Sequence, residues 1–566
     1  MLDKPWWELW PGRLEFELKA LESAGIKWEK DEAVLKRDKI MRIRLAFPLR
    51  DSSIILFANF PPQYPYFRPE VFAEPGSFSR HQNPIEGNLC LLGRRTQNWD
   101  SDCTLAQLLT SQFPLLERAA RTTNQIEREA LEEQLGEPVT TFFPCAADSM
   151  ILIDSAKRIP PEHNAGGLTI RVQVEPIPII RGDVIHVRAK DGKKLLSFDV
   201  CHADGNELPG SWVRLSEIPF DKKMPQEFEN ELVHKGIIPR AKFTYRVGQW
   251  FVDIVGLVVA EELQQGEHGD GWMFLVRLKQ DKTQVQRTEL VRAGRAGRTD
   301  FAVRIPALEF LRDKQVAVIG LGSVGAPIAI ELARSGVGKI ILIDFDFIEP
   351  GSTVRWPLGR SVFGMQKSVA LGQFIQSNYP FTRLEPFEYR FGTIYTSDFN
   401  SRLEKVLANV DLVIDATAEL AIHQLLSDFA RANKKPFIYA YITPGGLGGL
   451  VARIDPKKEM GCWHCLQIAL RNTKSIPEPP YLEKADVQPV GCAERTSIFP
   501  GFDAQEVSLE ATRMAISALS DGTAKQYPKS DWDIAIVKFR SDTGENSVPI
   551  WSTYSLAKEE TCPLCR

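Results

Sequence analysis

The stretch Ile319-Gly-Leu-Gly-Ser-Val-Gly325 decides the fold of the C-terminal part of this chain. Gly320, Gly322 and Gly325 stand at the three glycine positions of a G-x-G-x-x-G turn, where missing Cβ atoms let backbone N–H groups approach a phosphate at a helix N-terminus. The apolar run Gln315–Ile319 precedes the turn and suits a buried parallel strand. This order predicts a strand, a phosphate-binding turn and a helix.

The sequence after the turn continues the alternation of strands and helices. Asp344 ends the next apolar run, about 20 residues beyond the turn, where an acid can accept hydrogen bonds from a ribose hydroxyl. Val410–Asp415, Glu419–Arg431 and Pro436–Ile442 then predict a strand, a helix and a further strand. The pattern indicates a largely parallel, Rossmann-like α/β sheet. On its own, the glycine turn fits a nicotinamide, flavin or adenine nucleotide, or a purely structural role.

The composition limits the class of protein. A length of 566 residues favours about three domains. Neither a membrane-spanning apolar run nor the pattern of a secretory signal is evident, so we expect a cytoplasmic protein without a membrane partner. The net charge of −4 gives no general electrostatic reason to bind nucleic acid, so none is expected as a partner.

Three domains are predicted from the patterns along the chain. Residues 1–143 carry a helical pattern and the strand-like runs Met41–Phe47 and Ser53–Phe60, which indicates a compact α+β domain. Residues 144–298 consist of short β-like segments without a motif for chemistry, which indicates a mixed, β-rich linker domain. Residues 299–566 contain the α/β pattern and the glycine turn.

Two C-x-x-C pairs in the last domain predict a metal site. Each pair has the spacing that lets two thiolates share one tetrahedral ion, and four cysteines complete a closed structural zinc site. A redox dithiol is the alternative for either pair alone. The four predicted ligands are Cys462, Cys465, Cys562 and Cys565.

Cys492 lies between the two pairs, in a proline-containing stretch that suggests a surface loop. A cysteine in such a loop is a candidate nucleophile. A buried or incidental thiol explains the sequence equally well, so the residues alone leave both interpretations open.

Taken together, the motifs of residues 310–566 resemble the ubiquitin-activating family, which includes the bacterial molybdopterin and thiamin sulfur-carrier adenylyltransferases. The resemblance implies that Asp344 holds the ribose of ATP and that Arg355 and Lys367 contact its phosphates, with magnesium as a further cofactor. The motifs that carry it are the glycine turn, Asp344-Phe-Asp346, Arg355, Gly364-Met-Gln-Lys367, Asp411–Thr417 and the two cysteine pairs.

One position departs from the family pattern. The family commonly has an aspartate, associated with magnesium, where this chain has Ala418. Asp346, Asp415 and Glu419 are the nearby carboxylates that could take its place.

The N-terminal domain resembles the ubiquitin-conjugating fold. The resemblance rests on Pro61–Pro69, His81-Gln-Asn83, Gly87–Leu91 and Trp99, with Gln82 in place of the usual proline. It implies that Cys90 carries a thioester and that Asn83 stabilises the oxyanion formed when an amine attacks it. A loop-stabilising role for the Asn83 side chain is the alternative.

An activating and a conjugating domain in one chain resembles the fused enzymes of bacterial anti-phage (CBASS) operons. That resemblance implies a homodimer, and a protein substrate with an exposed C-terminus, namely a CD-NTase, that is joined to an amine such as lysine. The middle domain would then be a linker, with a degenerate adenylation-like fold as one interpretation.

The hypothesis is therefore a relay. ATP adenylates a protein C-terminal carboxylate, Cys492 takes the acyl group as a thioester, and Cys90 receives it before amide ligation. The first rival is an NAD-dependent oxidoreductase that uses the same glycine turn. The second rival is a non-catalytic scaffold that retains both folds for binding.

Overall fold

The computed structural model describes residues 4–49, 53–91, 99–131, 135, 137–175, 179–199, 205–221, 224–264, 267–488, 495–541 and 545–565. The chain divides into two compact units, Met1–Gly297 and Arg298–Arg566. Among the residues described, no helix combines the length and apolar character needed to cross a lipid bilayer.

The first unit begins with a four-stranded antiparallel sheet and its helices. The strands lie in the order β1-β2-β3-β4. In β2 every second residue is buried, the alternation expected of a strand with one face on a core. The elements are α1 (Trp6–Leu9), α2 (Pro11–Ser23), β1 (Lys27–Lys30), α3 (Glu32–Asp38), β2 (Met41–Pro48), β3 (Ser53–Phe60), β4 (Glu70–Phe72), α4 (Leu105–Arg121) and α5 (Gln125–Leu131).

The two strands predicted in this region are confirmed, and the arrangement is α+β. Helix α4 begins at a capping box in which the Thr104 hydroxyl accepts from the Gln107 N–H while the Gln107 side chain accepts from the Thr104 N–H. The more specific ubiquitin-conjugating fold remains a prediction.

The rest of the first unit is a mixed β-sheet that closes on itself. β11, β12, β13, β5, β7, β6 and β9 pair in succession, and β9 pairs with β11 again. The elements are β5 (Met150–Ile153), β6 (Ala165–Val174), β7 (Ile180–Ala189), β8 (Lys194–Ser197), β9 (Asn206–Arg214), α6 (Pro225–His234), β10 (Tyr245–Val247), β11 (Trp250–Gln264), β12 (Glu267–Gln280) and β13 (Gln286–Arg295).

This sheet confirms the β-rich, mixed character predicted for the middle segment. Among the described residues, its strands do not alternate with helices as those of the second unit do. The adenylation-like interpretation of this segment therefore gains no support and remains a prediction. The domain boundary at residue 143 also remains a prediction.

The second unit is an eight-stranded sheet in the order β16-β15-β14-β17-β18-β19-β22-β23. The first five strands are parallel and the last three antiparallel. The elements are α7 (Arg298–Ala302), β14 (Gln315–Ile319), α8 (Gly325–Arg334), β15 (Lys339–Ile343), α9 (Lys367–Asn378), β16 (Arg383–Phe387), α10 (Ser397–Ala408), β17 (Leu412–Asp415), α11 (Leu420–Ala432), β18 (Phe437–Ile442), β19 (Gly448–Ile454), α12 (Trp463–Arg471), β20 (Asp486–Val487), β21 (Thr496–Ser497), α13 (Gly501–Leu519), β22 (Ile534–Arg540) and β23 (Asn546–Tyr554).

Strand β14 explains why this sheet has two cores. Val316 and Val318 belong to one buried apolar cluster, and Ala317 and Ile319 belong to another. A strand covered on both faces reads as a continuous apolar run, because neither face meets water. The structure therefore confirms the Rossmann-like α/β architecture predicted for the C-terminal part.

The strand order also fixes where a ligand can bind. The chain runs outward from β14 through β15 to β16, and then returns to the other side of β14 with β17. At that reversal the C-terminal residues of two neighbouring strands, Ile319 and Asp415, are register partners. In open α/β sheets, ligands bind in the crevice at such a switch point.

Candidate functional site

The glycine turn lies at the switch point, and two of its glycines are required by the backbone. Gly320 has φ +79°, and a Cβ there would lie 2.8 Å from the Thr417 nitrogen. A Cβ on Gly325 would lie 1.8 Å from the Gly320 oxygen. Gly322 has no heavy atom within 4 Å of its ideal Cβ position, so this part of the turn faces open space. A phosphate can approach it there.

Asp344 holds the turn from the neighbouring strand. Its carboxylate accepts hydrogen bonds from the backbone N–H groups of Leu321, at 2.6 Å, and Asp346, at 2.7 Å. Burial raises the pKa of Asp344, while the nearby Lys367 ammonium opposes that shift. Asp344, the residue predicted to bind the ribose, is therefore fixed against the glycine turn. Ribose binding itself remains a prediction.

Lys367 and Asp346 form an ion pair beside Asp344. The Lys367 Nζ lies 2.5 Å from the Asp346 Oδ2, and the Lys367 N–H donates to the Asp346 carbonyl at 2.9 Å. The Lys367 side chain is 13% exposed and that of Asp346 is 50% exposed. The structure thus brings together three of the residues predicted for ATP, with the ammonium paired to Asp346 and close to Asp344.

Arg355 reaches a segment that sequence analysis did not connect with it. Its guanidinium donates to the Thr496 hydroxyl and to the Ser497 carbonyl, and its Cζ lies 4.4 Å from the centre of the Phe499 ring. Burial lowers the pKa of Arg355 without removing its charge near neutral pH. Its neighbour Trp356 donates to the Leu321 carbonyl at 2.7 Å, which ties this stretch to the glycine turn.

Asp415 is occupied by contacts inside the protein. One carboxylate oxygen accepts from the Thr417 N–H at 2.9 Å and from the Thr417 hydroxyl at 2.7 Å, and the other lies 2.7 Å from Nδ1 of His423. Both Asp415 and His423 are buried. Sequence analysis missed His423, because no local pattern marks a single histidine eight residues beyond an aspartate.

These contacts rank the candidate carboxylates for magnesium. Both oxygens are engaged in Asp415 and also in Asp346, whose Oδ1 accepts from the Phe347 N–H at 2.9 Å and whose Oδ2 pairs with Lys367. Burial separates them: Asp415 is buried, Asp346 is half exposed, and Glu419 is exposed. Ala418, at the position where the family pattern has an acid, adopts φ +59°. Magnesium binds through one or two carboxylates together with substrate phosphates and water. Asp346 fits that requirement better than Asp415 because its side chain retains solvent access.

The four predicted zinc ligands come together in the structure. The sulfurs of Cys462, Cys465, Cys562 and Cys565 all lie within 4.8 Å of one another. The Sγ of Cys462 is 3.9 Å from that of Cys465 and 3.6 Å from that of Cys562. Four sulfurs about 2.3 Å from a tetrahedral zinc ion would lie about 3.8 Å apart, so the cluster fits zinc.

Cys492, the predicted thioester nucleophile of this unit, lies outside the described residues. Thr496, whose hydroxyl accepts from Arg355, follows Cys492 by four positions in the sequence. The role of Cys492 therefore remains a prediction from sequence.

In the first unit, Cys90 lies on the wall of a cavity of about 740 Å³. The thiol-bearing residue is half-buried, and its N–H donates to the His81 carbonyl at 2.8 Å. Gln82 and Leu89 form an antiparallel bridge next to this bond. The backbone segment of the predicted His81-Gln-Asn83 motif is therefore paired with the segment that carries Cys90.

Asn83 stabilises its own loop. Its Oδ1 accepts from the N–H groups of Ile85, at 2.8 Å, and Glu86, at 3.1 Å. This is the alternative role considered for its side chain. The Nδ2 group, the donor that an oxyanion requires, takes no part in these two bonds, so the oxyanion role remains a prediction alongside the structural one.

Gln82 takes a structural position where the conjugating pattern has proline. Its side chain accepts from the Phe78 N–H at 2.9 Å and donates to the Glu74 carbonyl at 2.8 Å. The residue is 8% exposed. These bonds tie the start of the Cys90 segment to the end of the sheet.

Comparison with known proteins gives matches over different parts of the chain. A model of the ThiF family matches residues 298–507. The sulfur carrier protein ThiS adenylyltransferase of Escherichia coli is 30% identical over 255 residues, covering 45% of this chain and 87% of that protein. The uncharacterized protein y4oA of Sinorhizobium fredii is 29% identical over 586 aligned residues, covering 98% of this chain and 97% of its own.

Among solved structures, a crystal structure of E. coli MccB with ATP has TM-score 0.34 and 15% identity, over 46% of this chain and 68% of that one. This likeness is too weak to support a structural argument. The sequence matches are stronger: they include the glycine turn and extend over most of the ThiS adenylyltransferase. On that basis, the chain belongs to the ThiF family.

Proposed function

We propose that the second unit adenylates the C-terminal carboxylate of a protein with ATP. The observation that carries the proposal is the cluster of Asp344, Asp346 and Lys367 beside the glycine turn at the switch point of the sheet. Relatives named adenylyltransferases support ATP as the nucleotide.

The charges suit this reaction. A carboxylate oxygen attacks the α-phosphorus of ATP and pyrophosphate leaves, so a crowded anion must be neutralised. Lys367 supplies one fixed cation. Arg355 supplies a second if its guanidinium turns from Thr496 and Ser497 towards the nucleotide. Asp346 is the carboxylate best placed to hold magnesium, which would offset phosphate charge.

The adenylate would be passed on in covalent steps. The Cys492 thiolate attacks the acyl carbon and AMP leaves, which gives a thioester. The Cys90 thiolate then attacks that thioester and Cys492 is released as a thiol. Finally a lysine amine attacks the Cys90 thioester, an amide forms and the Cys90 thiol is regenerated. Adenylation gives the acyl carbon a good leaving group, AMP, and the later steps lead through two thioesters to the stable amide.

The surroundings of Cys90 support its place in this relay. The residue is half-buried on a cavity wall rather than enclosed in a core, and Asn83 lies in the same wall. Fusion of both cysteines in one chain raises the effective concentration of one thiol near the other, provided that the units can meet.

The cysteine cluster has a structural role in this proposal. Zinc bound by the two pairs would fasten the end of the chain to helix α12, which begins between Cys462 and Cys465. Closed Cys₄ sites hold no open position for substrate. The metal would therefore stabilise the second unit without taking part in acyl transfer.

The resemblance to fused anti-phage enzymes supplies the candidate partners. We propose a CD-NTase as the protein whose C-terminus is activated, a lysine as the acceptor, and a homodimer as the assembly. The family membership supports adenylation of a protein C-terminus in general. The CD-NTase, the lysine and the dimer rest on the resemblance alone.

Trapping of covalent adducts tests the relay. The wild-type chain and its Cys492→Ala, Cys90→Ala and Cys103→Ala variants are incubated with ATP and a purified CD-NTase, and are then resolved without reductant. Cys103, a half-buried cysteine of the same unit as Cys90, serves as the matched control.

The proposal expects adducts on both cysteines of the wild-type and Cys103→Ala proteins. Cys90→Ala should retain only a Cys492 adduct, and Cys492→Ala should show none. Mass spectrometry should find the partner's terminal residue in the thioester, and a partner lacking that residue should give no adduct. A Cys90 adduct in the Cys492→Ala protein would overturn the order of steps.

A further inference from the structure

The loop that presents Cys90 is held by the closed sheet of the same unit, and nothing in the proposed relay explains why. We define the Cys90 loop as residues 80–90. At its start, Arg80 forms an ion pair with Glu262 of strand β11, with 2.7 Å between Nη2 and Oε2. Both side chains are largely buried, at 16% and 5% exposure. The pair therefore lies where water screens it little.

A second contact lies near the middle of the loop. Ile85 packs against a buried apolar cluster that includes Val255, Leu257 and Val259 of strand β11. The Cys90 loop thus contacts strand β11 through an ion pair, and through Ile85 it contacts an apolar cluster to which that strand contributes. Two contacts of different kind fix both the position and the tilt of a loop better than either does alone.

The ion pair is connected to Cys90 through the backbone. Arg80 directly precedes His81, and the His81 carbonyl accepts the hydrogen bond of the Cys90 N–H at 2.8 Å. A shift of Arg80 would therefore move the acceptor that holds the nucleophile. The bridge between Gln82 and Leu89 lies next to this bond and would shift with it.

We propose that Glu262 is a positioning residue for Cys90, acting through Arg80. The closed sheet then sets the register of the segment that carries the thiol, which gives the middle of the chain a role in acyl transfer. This inference rests on the proposed function of Cys90, but the arrangement it describes exists without a donor protein.

Hydrogen exchange of the full-length chain tests the positioning without ATP or a partner. Glu262→Gln keeps the side-chain size and removes the carboxylate charge that pairs with the largely buried Arg80. Peptides covering residues 80–91 should then exchange about tenfold faster, because local opening becomes easier. Peptides from strand β7, which does not pair with β11, should be unchanged.

A matched control comes from the same sheet. Asp270 pairs with Arg214 at 2.6 Å, with side chains 7% and 24% exposed. Asp270→Asn removes a pair of similar burial that does not contact the Cys90 loop, so it should leave exchange in residues 80–91 unchanged. The double variant Arg80→Glu with Glu262→Arg should restore protection of the loop.

The reactivity of the thiol provides a second readout. The rate of Cys90 alkylation by iodoacetamide, measured against pH and relative to Cys103 in the same sample, should change in Glu262→Gln and return in the charge-reversed double variant. If Glu262→Gln does not fold, Ile85→Ala should produce the same pattern in exchange and alkylation. Equal effects of Glu262→Gln and Asp270→Asn on the loop, or none, would overturn the proposal.

The two hypotheses fail in distinguishable ways. A Cys90 loop that loosens in Glu262→Gln while no ATP-dependent thioester forms in the wild type would leave the positioning intact and remove the relay. An ATP-dependent relay in the wild type, together with an unaffected Cys90 loop in Glu262→Gln, would leave the relay intact and remove the positioning.

Discussion

The carboxylate of Asp344 accepts a hydrogen bond from the backbone N–H of Leu321 at 2.6 Å. The acid that follows the second strand of the sheet thus holds the glycine turn that follows the first. A nucleotide bound to the turn would meet both the N–H groups of the turn and this carboxylate, so the two sequence motifs form one site.

Asp344→Asn should weaken ATP binding about tenfold or more, because the neutral amide loses the charge that accepts the ribose hydroxyls and the two N–H bonds. Isothermal titration with ATP measures this. Asp411→Asn is the matched control. The Asp411 carboxylate accepts from the N–H of Gln315 at 2.8 Å, at the start of strand β14, whereas the glycine turn follows the end of that strand. Equal loss in both variants would mean that Asp344 has only a structural role.

The pH dependence of the same site has a defined sign. Burial raises the pKa of Asp344, so the folded protein takes up this proton at higher pH than the unfolded chain. As the pH falls through the raised pKa of Asp344, the stability of the free protein should therefore increase relative to that of Asp344→Asn. ATP binding should weaken over the same window, because the acceptor charge is lost. Thermal melting and ATP titration between about pH 4 and 7 measure the opposite trends.

Lys367→Ala should lower the rate of adenylation by about a hundredfold, because it removes a fixed cation from the developing charge at the phosphates. Pyrophosphate exchange measures this rate. Lys339→Ala is the control: Lys339 also forms an ion pair on this sheet, at 2.8 Å from Glu385, but away from the glycine turn. Adenylation in Lys367→Ala close to that of Lys339→Ala would exclude contact with the phosphates.

Arg355 has two possible roles: contact with ATP, or attachment of the segment that contains Thr496 and Ser497. If it contacts ATP, Arg355→Ala should reduce adenylation at least about tenfold, whereas Thr496→Val, which removes only the hydroxyl acceptor, should stay within about twofold. Pyrophosphate exchange by the two variants decides between the roles. Matching losses would show that Arg355 acts by holding the segment that follows Cys492.

The cysteine cluster should contain about one zinc ion per chain. Elemental analysis of the purified protein measures this, with Cys562→Ser as the variant that removes a ligand and Cys103→Ser as the control. Cys562→Ser should lose the metal and lower the melting temperature of the second unit by several degrees, since metal binding contributes to folding free energy. Full zinc content in Cys562→Ser would contradict the assignment.

Local patterns made much of the second unit predictable. The run Gln315–Ile319 forms strand β14 with the predicted bounds, because a strand covered on both faces must be continuously apolar. The cysteine pairs were recognisable because two thiolates at C-x-x-C spacing suit one metal ion. Both features are written in short stretches of chain.

Other contacts could not be inferred because they join distant residues. Arg355 and Thr496 are 141 positions apart, and neither has a local signal for the other. The pairing of β9 with β11 closes the middle sheet, but strand-like runs do not specify which distant strands meet. His423 beside Asp415 is a third case: the helix that brings it there is predictable, and the buried pair is not.

The most direct test of the account is partner-dependent exchange of labelled pyrophosphate into ATP, measured on the full chain. We predict exchange that requires a partner protein with a free C-terminal carboxylate, that is lost when this terminus is removed or amidated, and that falls in Lys367→Ala but not in Lys339→Ala. Hydride transfer with NAD, or the absence of exchange with every carboxyl partner while ATP still binds, would contradict the central claim.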